Sequence, residues 1–75
     1  MDALAIRYRI DYRAEDATPR VVGRYLSEQG AQTALRIHAH ELRRAGRRGR
    51  VVLVDLTARP ERVVGERDLQ VAPSG

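Results

Sequence analysis

Five arginines crowd into the segment Arg43-Arg44-Ala45-Gly46-Arg47-Arg48-Gly49-Arg50, and no acid falls among them. A guanidinium carries a fixed charge and a planar fork of donors that matches phosphate and carboxylate oxygens. Outside this segment the chain holds nine arginines against ten acids, so the net charge of +4 belongs to this one stretch. All 14 basic residues are arginine and none is lysine. A GC-rich genome would account for that choice of residue, but not for its placement. One or two cations at a helix end would satisfy the dipole and the last carbonyls. Five, with Arg36 one and two turns upstream, make a guanidinium surface suited to phosphates or to an acidic protein surface. The expected contact residues are Arg36, Arg43, Arg44, Arg47, Arg48 and Arg50. The charge pattern gives the sign of the ligand and not its identity.

Other chemistry is poorly provided for. Acid–base catalysis needs titratable groups gathered in a pocket, and the carboxylates are scattered through turns and outward strand positions. Asp11 and Asp55 stand beside apolar runs and are expected to be surface or turn charges. Ser27 and Ser74 fall at a helix cap and in a terminal tail, poor places for a nucleophile. The sequence has no cysteine, so it offers neither a disulfide framework nor a thiolate site. Gly46-Arg47-Arg48-Gly49 lies between a helix and a strand, the reverse of the order in a phosphate-cradling loop. No catalytic set, cofactor or metal is expected, and the chain reads as a non-enzyme.

His38 and His40 are two residues apart and point to nearly opposite sides of a helix, whereas a helical metal pair needs a spacing of three or four. His40 belongs to the basic, solvated face. His38 sits in the apolar stripe and is expected to be a core histidine satisfied by one hydrogen bond, with a pH-sensitive or interface role as the alternative. Tyr8, Tyr12 and Tyr25 are the only aromatics. Exposed on a sheet they could stack bases, but Leu4, Ile6 and Ile10 beside them favour a core role.

The elements that position these residues follow from periodicity. Leu4 to Arg13 alternates strictly, with Leu4, Ile6, Tyr8, Ile10 and Tyr12 inward and Ala5, Arg7, Arg9, Asp11 and Arg13 outward, the mark of a half-buried strand. The outward arginines, diluted by Asp11, read as a soluble sheet face. Asp16 and Pro19 break the chain. Arg20 to Leu26 forms a second strand, with Val21, Gly23 and Tyr25 on one face and Val22, Arg24 and Leu26 on the other; Gly23 marks a bulge or a close approach.

Ser27 is the N-cap of a helix that runs to about Ala45, with Glu28 in its first turn and Gly46 as its C-cap. Its inner face comprises Ala31, Ala34, Leu35, His38, Leu42 and Ala45; Arg36, His40, Arg43 and Arg47 lie opposite. Val51 to Val54 is apolar on both faces and reads as an interior strand. After a turn over Asp55 to Glu61, Arg62 to Val71 forms the last strand. Val63, Leu69 and Val71 are expected inward, with Glu66, Asp68 and Gln70 outward.

The fold class expected is α+β: one small ββαββ domain, residues 1–71, with a four-stranded, mainly antiparallel sheet and one amphipathic helix packed on one face. Residues 72–75 read as a flexible tail. No apolar run approaches the length of a membrane span, and the first residues lack a signal-peptide pattern, so a cytoplasmic location is the expectation. The leading functional reading is a binding protein for a polyanion, nucleic acid or ribonucleoprotein. Its rivals are an adaptor or inhibitor of mobile-element type, aimed at an acidic protein surface, and a homodimeric structural module that pairs sheet edges.

Overall fold

The computed structural model describes residues 5–15 and 17–70. Four strands and one helix follow in the order β1 (Tyr8–Arg13), β2 (Arg20–Tyr25), α1 (Glu28–Arg44), β3 (Arg50–Asp55) and β4 (Arg62–Asp68). The sheet order is β2-β1-β3-β4, and every neighbouring pair is antiparallel. Two hairpins therefore lie side by side, joined through β1 and β3, with α1 across one face. This is the expected α+β, ββαββ arrangement.

Alternation decides which side chains meet the helix. Tyr8, Ile10 and Tyr12 of β1 and Val51 and Leu53 of β3 pack against Ala31, Leu35 and Ala39 of α1. β3 is interior, as its apolar run implies: Val52 and Val54 point to the other face yet are only 1% and 3% exposed. Long side chains roof that face. Arg9 Nε donates to Asp11 Oδ1 at 2.8 Å, and the same guanidinium reaches Glu61 Oε1 at 3.5 Å, just ahead of β4. Asp11, expected as an outward surface charge, is instead 6% exposed beneath this arrangement. Its hydrogen bond holds the Arg9 guanidinium protonated still more firmly, against the opposing effect of burial.

Three further expectations need correction. The first strand begins at Tyr8, and Ile6 ahead of it is 43% exposed rather than inward. The last strand ends at Asp68, though Leu69 beyond it is buried as expected. Val63 is not inward: it is 48% exposed and sits opposite Val54 on the helix-free face. Leu4, Asp16, Val71 and the tail lie outside the described residues.

Val63 turns outward because of a bulge. Along β3 and β4 the register steps between Leu53 and Val54, which leaves Val64 as the extra residue. One inserted residue reverses the facing of everything before it. β2 does the same: its register with β1 steps between Ile10 and Asp11, and Val22 is the extra residue. The sequence pattern of both edge strands is thus broken once in the middle.

The helix obeys its local signals. Ser27 is extended at φ −125° and accepts a hydrogen bond from Gly30 N at 3.2 Å, with Glu28 in the first turn. Its buried stripe is Ala31, Leu35 and Ala39, centred on Leu35. Leu42 is half-buried and Ala45 exposed, so the inner face lies slightly off the expected one, which had omitted Ala39. Small residues let the helix lie close: a Cβ at Gly65 of β4 would stand 3.1 Å from Leu35 Cδ2. On the β2 side the Tyr25 ring lies over Gly23, where any Cβ would collide with it. The Tyr25 hydroxyl shares a hydrogen bond of 3.1 Å with His38 Nε2, and burial raises the phenol's pKa. His38 is half-buried with that one partner, and His40 is exposed.

The turn after β3 is held by Asp55, whose Oδ1 accepts from Thr57 Oγ1 at 2.6 Å and from Thr57 N at 2.9 Å. These bonds, the hydroxyl's first, lower the Asp55 pKa. A carboxyl depressed in the folded state stabilises fully above its unfolded value and loses that contribution as pH falls through the folded one. The gap in thermal midpoint between wild type and Asp55→Ala should be constant near neutrality and shrink below the ordinary carboxylate range. A gap that widens on acidification would contradict the assignment.

Candidate functional site

The arginine-rich segment begins in the last turn of α1 and ends in β3, and its path is set by hydrogen bonds. Ala45 caps the helix. Gly46 follows at φ +76°, its N–H donating to Arg43 O at 3.0 Å, and Arg47 N–H donates to Leu42 O at 2.9 Å. This double closure is the Schellman arrangement, with Gly46 one residue past the cap and not, as the sequence suggests, the cap itself. The turn is then fastened to the sheet at two points: Tyr12 Oη donates to Arg48 O at 2.7 Å, and Leu69 N–H donates to Gly49 O at 2.9 Å.

Gly49 has φ +114°, and a Cβ there would strike the carbonyl of Arg13. Gly49→Ala should therefore destabilise the protein by more than about 1 kcal/mol, through left-handed strain plus a backbone clash. Denaturant unfolding measures it, and an unchanged midpoint would mean that the turn is not seated against β1 in this way.

On this frame the expected arginines separate into groups. Arg36 and Arg43 recur at a seven-residue step on the helix flank above β4, and Arg43 Nη2 donates to the Asp68 carbonyl. Arg44, nine residues after Leu35, points away from the sheet. Arg47 and Arg48 occupy the turn, and all five are exposed. Arg50 departs from the group. Its register opposite Asp68 puts it on the helix-free face, where Nη1 pairs with Glu66 Oε2 at 2.5 Å. Among the described residues no carboxylate pairs with Arg36, Arg43, Arg44, Arg47 or Arg48.

Two depressions flank the turn on the helix side. One, of about 450 Å³, is bordered by Arg43, Arg47, Arg48, Leu69 and Gln70. The larger, of about 640 Å³, runs between this turn and the turn that joins β1 to β2, and it adds Arg20, Thr18 and Glu15 to Arg47 and Arg48. Arg20 was not expected at the site, and Arg67, which borders neither depression, was not among the residues expected on the same side of the sheet. Arg20 lies opposite Tyr12 and Arg67 opposite Val51, so both stand on the helix side of the sheet. The facing of Arg20 depends on the bulge in β2, which falls at Val22 beside Gly23, where the sequence marked a bulge or a close approach without fixing which residues it would turn. Arg67 follows the alternation of β4, but only once the strand's inward face is known.

Among the described residues no group of three or more histidines or carboxylates is placed to hold a metal ion. No described helix is long and apolar enough to cross a membrane. The fold and this surface define a two-layer α+β domain with one basic, hydrogen-bonded end. No family model, curated protein or solved structure matches the chain.

Proposed function

We propose that the protein is a non-enzymatic binding protein that docks the end of α1 and the following turn on a polyanion, nucleic acid or ribonucleoprotein. One observation carries this reading: Arg47 and Arg48 project from a turn fixed by hydrogen bonds at both ends, and no described carboxylate neutralises them. Holding cations apart from their counter-charges has little use in stability and direct use in binding phosphates. Arg36, Arg43 and Arg44 extend the surface along the helix, while Arg50 is engaged by Glu66. The contacts are with the phosphate backbone and do not depend on sequence, because no element is shaped to read base edges.

Fluorescence anisotropy with mixed-sequence DNA and RNA over a salt series tests the reading. Five phosphate contacts imply a slope of log affinity on log salt of roughly 3.5–4.5. Absence of binding to every nucleic acid at low salt would end the proposal and leave the surface to an acidic protein partner.

A further inference from the structure

The cleft between the two turns has features that a diffuse basic surface lacks. Arg20, Arg47 and Arg48 border it from two separate parts of the chain, together with Thr18. None of the three guanidinium groups has a carboxylate partner among the described residues. Glu15 is the one carboxylate in the described lining, and its Oε1 accepts from Gln70 Nε2 at 2.8 Å. The remaining lining is small or apolar: Ala14, Ala17, Gly46 and the buried Tyr12. Tyr12 also fixes one wall, since its hydroxyl holds the Arg48 carbonyl. At about 640 Å³ the cleft falls within the range of small-molecule sites and exceeds what one phosphate needs.

We infer that this cleft is a discrete pocket for one phosphate group and the sugar attached to it, gripped by Arg20, Arg47 and Arg48. The inference deepens the polyanion reading and rests on it for the origin of the phosphate. A pocket of this kind fixes where a strand sits on the protein, whereas Arg36, Arg43 and Arg44 contribute charge alone. Preorganisation supports it: the backbone under Arg47 and Arg48 is tied to the sheet before any ligand arrives, so little ordering remains to be done on binding. Arg20 distinguishes the pocket from the surface, because it lies in β2 and outside the arginine-rich segment.

The test follows backbone amides by two-dimensional NMR during titration with inorganic phosphate in a low-salt chloride buffer. Saturable shifts confined to Thr18, Arg20 and Gly46–Gly49 are expected. Arg20→Ala should abolish saturation, and Arg20→Lys should restore it only in part, for want of the planar fork. A pair of short oligonucleotides, with and without a 5′-phosphate, separates the two sources. Preference for the phosphorylated end by about tenfold or more identifies a terminal phosphomonoester, and equal binding identifies a backbone diester.

Nucleic-acid binding that survives Arg20→Ala unchanged, with phosphate shifts spread weakly over every arginine, would overturn the pocket and leave the polyanion reading intact. Saturable phosphate binding without nucleic-acid binding would do the opposite.

Discussion

Changing Arg47 and Arg48 together to alanine is expected to weaken nucleic-acid binding by on the order of ten- to a hundredfold at low salt, equally for every sequence tested. Two lost phosphate contacts should lower the salt slope by roughly 1.4–1.8. Both side chains are exposed, and the turn is held by backbone atoms that alanine retains, including the Arg48 carbonyl bound by Tyr12. The thermal midpoint should therefore barely move. Arg7 and Arg9 provide the control. Arg9 is paired with Asp11 and Glu61, so the double variant Arg7→Ala/Arg9→Ala should change stability more than affinity. Equal losses of affinity from the two double variants would show that net charge, rather than this turn, governs binding.

The largest effect on folding is expected from Leu35→Ala. Leu35 is 1% exposed at the centre of the helix–sheet contact, above Gly65. Truncating a buried leucine costs roughly 2–5 kcal/mol, depending on how far the cavity collapses. A domain of this size has on the order of that much stability in total. Small alanines on either side of Leu35 and a glycine beneath it leave little that can move in to fill the space. Leu35→Ala should be largely unfolded in circular dichroism at 25 °C. The half-buried Leu42→Ala should stay folded with a reduced midpoint, and a reversed ranking would place the helix on the sheet with a different face inward.

How far such readings could be made from residues alone depended on whether a signal was local. Strict alternation through Tyr8, Ile10 and Tyr12, the Ser27 cap and the doubly apolar Val51–Val54 each carry their own structural instruction, and the elements formed accordingly. The edge strands were less legible. A bulge is decided by how two strands fit together, so the facing of Val63 and Arg20 followed from the register within each hairpin rather than from alternation along one strand. The burial of Asp11 likewise needed Arg9 and Glu61 to meet across the sheet. At the site, the charge excess was plain in Arg43–Arg50, but Arg50 could be separated from its neighbours only after the register set it beside Glu66.

The two bulges have a meaning for association as well as for facing. A sheet with free edges offers each edge as a template on which another copy can add a strand, and an unbroken row of backbone donors and acceptors makes that easiest. In this protein both free edges belong to the bulged strands, β2 and β4, so each row is bent and interrupted near its middle. Arg20 and Arg24 on one edge, and Arg62, Glu66, Arg67 and Asp68 on the other, add charges that a docking strand would have to accommodate. Copies crowded along a shared polyanion could then stand shoulder to shoulder without their sheets fusing into a fibre.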